Sequence, residues 1–326
     1  MSRLASLPSL VGSGRAAFAR HGFLAVVGFA IVGFAVANPS FLSLANLVNI
    51  VSGAVIPLIV GLAMTLVVAL GAIDLSVGVA LDFGSAFAIV ALKDYGVPWY
   101  LAVAIGIAGG TLVGVVNALV VVRFRVSAFL GTLGVFFIGG SLQRIFTNGG
   151  GPISFRRLPT EYYDLAVGDL YGIPIRILIA AALVVGYFLL LERSALGRKI
   201  HAVGQQSRAA RVAGLPVGAI VAFGFVCAGA TAAVGGLIAS ANLRMFTPLA
   251  GNAYLMDAIA AVFIGASMHR DGRPNVPGTL TGVLFLAMIA NGLNLMGLDF
   301  NLKDALSGVI LVAALAFSVI QHRRRT

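Results

Sequence analysis

Charge is what this chain has least of. Only 10% of its 326 residues are Asp, Glu, Lys or Arg, where a soluble domain carries about 25%, so a water-facing surface cannot be built from it. The single cysteine, Cys227, can make no intrachain disulfide. The four histidines, His21, His201, His269 and His322, have no metal-ligand spacing. There is no glycine-rich phosphate loop ending in Lys-Ser or Lys-Thr, and no His-Glu-x-x-His pair. A paired-acid Asp-Asp-x-x-Asp motif is also missing, as is any nucleophile motif joining Ser, His and an acid. These absences exclude ATP hydrolysis by this chain, a catalytic centre and a bound cofactor or metal. The net charge of +11 suggests no nucleic acid either. Its basic residues are scattered in short loops, without a basic face or interleaved aromatics.

What the chain has is apolar length. Hydrophobic residues make up 60%, and runs of about 20, enough to cross a bilayer, recur from end to end. They predict an all-α polytopic membrane protein of about ten transmembrane helices, some broken or kinked. The spans fall near 20–37, 47–70, 76–92, 99–122, 127–146, 174–191, 217–241, 254–269, 277–297 and 304–320. Residues 1–326 read as one transmembrane domain with two long connections, 147–173 and 197–216. Pro57 falls within the second span and predicts a kink.

Charge placement orients these spans. With the N-terminus inside, the inner group of Lys and Arg numbers 15 and the outer group 7, together the 22 present. The outer group is Lys93, Arg144, Arg156, Arg157, Arg176, Arg244 and Lys303. The positive-inside rule therefore places both termini in the cytoplasm and 147–173 outside. A rival reading takes Arg15, Arg20 and the following apolar run, ending in Ala35-Val36-Ala37, as a cleaved signal peptide. The run's continuation into a polytopic chain favours a retained span.

Ionisable groups within a membrane are costly and rarely idle. Asp74, Asp82 and Asp257 qualify. Asp74 and Ser76 lie in Gly71-Ala72-Ile73-Asp74-Leu75-Ser76-Val77-Gly78, a break between two spans. Asp74 is expected to cap the third span through N–H groups near Val77; the alternative is a place on the substrate path. Asp257 is expected to open the eighth span. Asn117, and Asn291 with Asn294 three residues on, can either bind helices together or line a polar route. A weak internal echo pairs Gly131-Thr132-Leu133-Gly134 with Gly278-Thr279-Leu280. The 147–173 connection is read as a solvated connector, a membrane-surface segment or a landing surface for an external protein.

The polar island from Gly197 to Pro216 stands apart. Ser207 is expected to cap a short helix through Val212, stopped at Gly214 with Pro216 beyond. Such a helix is too short to stand alone. Ala209 and Ala210 offer a small flat face beside Arg208 and Arg211, suited to insertion into a groove on another protein. The alternative is a basic loop that only sets orientation.

The island's pattern, Gly197-Arg198, then Ala202-Val203-Gly204, Ala209-Ala210 and Gly214, resembles the cytoplasmic coupling loop of ribose-type ABC importer permeases. The segment Gly71 to Gly78 resembles a second signature of that family. A third match runs from Leu255-Met256-Asp257 through Gly265 and Pro277-Gly278-Thr279-Leu280 to Asn291-Gly292-Leu293-Asn294-Leu295. The three matches are in order over roughly residues 45–320. The resemblance implies a bacterial inner-membrane permease subunit for a monosaccharide (pentose or hexose) or related polyol. It implies a second permease, identical or not, two cytoplasmic ATPase subunits and a periplasmic sugar-binding protein. The island would dock into an ATPase cleft. Two departures stand out: Arg208 replaces a commonly acidic residue, and Met268 to Asn275 replaces a smaller, glycine-rich loop. The competing class is an ion-coupled secondary transporter using Asp74 or Asp257.

Overall fold

The computed structural model describes residues 27–269 and 271–297, with Ala305 and Val309. After α1 (Val27–Ala37) come α2 (Leu44–Ala69), α3 (Val77–Asp94), α4 (Trp99–Ala118) and α5 (Ala128–Phe146). A short helix, α6 (Thr160–Val167), precedes α7 (Ile175–Phe188), α8 (Ala195–Gln205) and α9 (Ser207–Val212). Three long helices follow: α10 (Val217–Leu243), α11 (Gly251–Met268) and α12 (Val276–Leu295). A helix stands at each of eight expected spans, and α1 covers the described part of the first, 20–37, whose residues 20–26 lie outside the described residues. The tenth, 304–320, lies outside them apart from Ala305 and Val309. Seven are long and apolar enough to cross a membrane; α3 is as long as α11 but carries Asp82, Lys93 and Asp94.

Local chemistry sets the helix starts. Ser43 accepts from Asn46 N–H at 3.2 Å to open α2, and Asn275 accepts from Gly278 N–H at 2.7 Å to open α12. Pro57 lies inside α2, as expected. The last turns after α4 and α7 are wide; Phe124 N–H reaches back to the Leu119 carbonyl at 3.1 Å.

The centre is α10 packed against α3 and α4. Apolar surroundings give no hydrophobic drive between helices, so backbone approach holds them. Gly114 lies against the Phe225 carbonyl, and Gly110 against Gly229 and Ala233. The 147–173 connection is more than a solvated connector. Its α6 seats Tyr162 in the core, where the hydroxyl meets Ser240 Oγ at 2.8 Å. Strand β1 (Ile153–Ser154) pairs antiparallel with β4 (Met245–Phe246), and β2 (Asp169–Leu170) with β3 (Ile173–Pro174).

Candidate functional site

The 197–216 island folds as two helices at one end of the bundle. Ser194 Oγ accepts from Gly197 N–H at 2.9 Å and starts α8. Gly197 itself sits against the Leu190 and Leu191 carbonyls, where a side chain has no room. Ile200 and Val203 turn into the core, while Arg198 and Lys199 point out. The residue before α9 is Gln206, whose side chain makes no capping bond, so Ser207 is the first helical residue and not the expected cap. The other end follows expectation. Gly214, at φ +82°, donates to Arg211, and Leu215 donates to Ala210, the paired bonds of a Schellman ending.

The expected flat alanine face does not form. Ala210 is buried and Ala209 exposed. The solvent side of α9 instead carries Arg208, Ala209 and Arg211, with Val212 91% exposed beside them. Nothing in the sequence marks Val212, because the phase of a six-residue helix cannot be read from so few positions.

This segment rests on the break between α2 and α3. Gly204 lies against the Ala69 carbonyl and the Gly71 backbone, with Gly71 at φ +78°. Below that contact the break is braced by Asp74. Its Oδ1 accepts from Ser76 N–H at 2.8 Å and Ser76 Oγ at 2.7 Å. Its Oδ2 accepts from Asn117 Nδ2 at 3.1 Å, and Asn117 also donates to Ser76 Oγ at 2.7 Å. The expected cap at Val77 is thus replaced by a turn closed on Ser76, because the break brings that N–H nearest. Thr132 joins the same brace, accepting from Leu75 N–H at 3.2 Å and donating to the Ile73 carbonyl at 3.3 Å.

The 268–275 connection also leans on α8. With its amide turned oxygen-first, Gln205 accepts from Arg273 Nε at 2.7 Å and Nη2 at 2.8 Å. Between them lies a polar cavity of about 310 Å³, lined by Glu192, Arg198, His201, Gln205 and His269 among others. Burial holds the His201 pKa below the ordinary histidine value; Glu192 pulls it up, and Arg273 and His269 push it down. A histidine with a lowered folded pKa gives stability that is intact above its unfolded pKa of about 6.5 and falls as pH drops below it. The thermal midpoint is therefore expected to fall between pH 7.5 and 5.5, with a smaller fall in His201→Gln. An unchanged slope in that variant would remove His201 as the cause.

The remaining candidates scatter. Asp257 lies in the second turn of α11, which begins at Gly251, so it does not open the helix. Asp257 and Asp82 both act electrostatically on Tyr254. Asn291 exchanges hydrogen bonds with Asn46 at 2.9 and 3.0 Å, tying α12 to α2. Asn294 is exposed. Thr279, in the second half of the sequence echo, meets Thr65 Oγ1 at 2.6 Å.

Seven helices long and apolar enough to cross a bilayer define a multi-pass membrane protein. Residues 46–315 match the family described as branched-chain amino acid transport system / permease component, and the chain belongs to that family. It is 32% identical over 307 residues to the ribose import permease protein RbsC of Haemophilus influenzae, covering 93% of this chain and 94% of that one. It is 33% identical over 283 residues to RbsC of Escherichia coli K12, covering 85% and 86%. The autoinducer 2 import system permease protein LsrD of Yersinia enterocolitica is 29% identical over 269 residues, 81% of each chain. No solved structure matches.

Proposed function

We propose that this chain is the membrane-spanning subunit of an ABC importer that carries a monosaccharide or related polyol across the bacterial inner membrane. The observation that carries the reading is the contact of Gly204 with the Ala69–Gly71 backbone. That contact supports a route by which a push on the island from a cytoplasmic partner would reach α2 and α3. The partners are two ATPase subunits, a periplasmic sugar-binding protein and a second permease. About ten spans with both termini cytoplasmic put α8 and α9 on the ATPase side. The likeness to ribose import permeases supports a monosaccharide cargo.

Ion coupling through Asp74 fits less well. Both its oxygens are engaged by Ser76 and Asn117, which suits a structural brace better than an ion site. Purification of the tagged chain after co-expression with its ATPase is the test. The two are expected to elute as one complex, and a chain that elutes alone in active membranes would defeat the reading.

A further inference from the structure

We infer that the joint between α8 and the 268–275 connection is a proton-sensitive latch: charging His201 and His269 from the cytoplasmic side opens it and weakens the coupling of ATP hydrolysis to transport. This rests on the importer reading above. α8 packs against α10, α2 and the end of α7, with little direct packing against α11 or α12. The space between holds two polar cavities, of about 310 and 450 Å³, that share His201, Gln205 and Arg273. Side chains cross it in two places. Arg273 donates to Gln205, the last residue of α8. Glu192, just before α8, accepts from Val276 N–H at 3.3 Å at the start of α12.

At the far side these ties meet a firm body. Asn275 caps α12, Val276 is buried, and Gly278 lies against the backbone of Gly265 in α11. A movement of α8 is passed to the α11–α12 pair through the two ties.

The histidines are built into this joint in their neutral form. His269 Nδ1 accepts from Asp271 N–H at 3.2 Å, and the His269 carbonyl accepts from Gly272 N–H at 3.0 Å. Together these bonds close the turn that presents Arg273. A charged imidazole has two donors and no acceptor, so protonation breaks the first bond. His201 lines both cavities with Arg273. Burial, Arg273 and His269 all favour its neutral form, and Glu192 opposes them. The remaining charges at the joint are balanced: Arg198 from α8 and Arg273 from the connection, against Glu192 from the end of α7 and Asp271 from the connection. Arg270 lies outside the described residues. With both histidines charged, four cations face those two acids, and Glu192 is already engaged by Val276. Like charges then push Arg273 away from His201 and off Gln205.

The test uses the complete importer in proteoliposomes with ATP inside. The lumen, which is the cytoplasmic side, is buffered at pH 7.5 or 5.5, either side of the ordinary histidine pKa of about 6.5. D-ribose is the probe, and uptake and ATP hydrolysis are measured in the same vesicles. Sugar moved per ATP is expected to fall about three-fold at the lower pH as the histidines charge. The double variant His201→Gln, His269→Asn is expected to give a level ratio, because Asn keeps an acceptor for the N–H two residues on and does not titrate. Arg273→Ala, which lacks the tie, is expected to give a low ratio at both values. A level ratio in wild type, or the wild-type fall in the double variant, overturns the latch. A merely structural role for the histidines lowers the thermal midpoint of the double variant and leaves the fall in place. A wild-type importer that moves no ribose with ATP at pH 7.5 counts against the importer reading. The latch is then decided on the chain alone, by the distance between nitroxides at Lys199→Cys and Pro277→Cys in a Cys227→Ala background. That distance is expected to widen at pH 5.5, and a fixed distance overturns the latch.

Discussion

Val212→Asp is expected to abolish ATP-coupled uptake while leaving the chain folded in the membrane. Val212 is almost fully exposed and Arg211 lies beside it, also exposed. In the proposed importer this apolar tip, with Arg208 and Arg211 on the same short helix, enters a groove on the ATPase partner. A charge placed there must be desolvated without a counter-ion when the groove closes, which costs several kcal/mol. Loss of a central anchor costs about 2–4 kcal/mol, or roughly 30- to 1,000-fold in affinity. Arg211→Glu is expected to do the same by reversing the charge. Ala210→Asp is a poorer probe, because Ala210 faces the core and its loss would mix misfolding with lost docking. Comparing uptake with the yield of detergent-stable protein checks the claim. Normal uptake in Val212→Asp would remove α9 from the partner contact.

Gly204→Val is expected to uncouple the same machine from the other side. Any side chain at Gly204 would run into the Ala69 carbonyl and the Gly71 backbone. Gly71 cannot easily yield, since its φ of +78° favours glycine alone. Overpacking of this kind costs about 1–3 kcal/mol, occasionally more. The strain falls on the joint between α8 and the α2–α3 break, so the partner is expected to bind and hydrolyse ATP while uptake drops at least ten-fold. ATPase assays on the purified complex alongside uptake measure the split. Equal uptake in Gly204→Val and wild type would mean that the joint carries no motion.

The helices were legible because each apolar run is bounded by polar or glycine-containing breaks, and membrane length leaves few alternatives. Pro57 within α2 and the Gly214 ending of α9 followed from residue chemistry alone. The contacts between distant segments did not. Asp82 finds Gly251 across 169 residues, and the Gly71–Gly204 approach joins two glycines that look alike in a chain with 41 of them. A glycine announces that something comes close without saying what. Asp74 is legible as an acid that closes the break, but Asn117 reaches it, and Thr132 reaches its neighbours Ile73 and Leu75, only through the packing of α4 and α5. The phase of α9 is not legible for a related reason: six residues give too little periodicity to decide which alanine faces inward.

The central claim is that an external ATPase drives solute through this bundle by way of α8 and α9. Its most direct test is uptake by proteoliposomes holding the complete importer, with ATP and with imposed proton or sodium gradients as separate energy sources. Uptake is expected to require ATP and the binding protein, and to persist when both gradients are collapsed. Uptake that follows either gradient without ATP would contradict the account and return Asp74 and Asp257 to the position of ion sites.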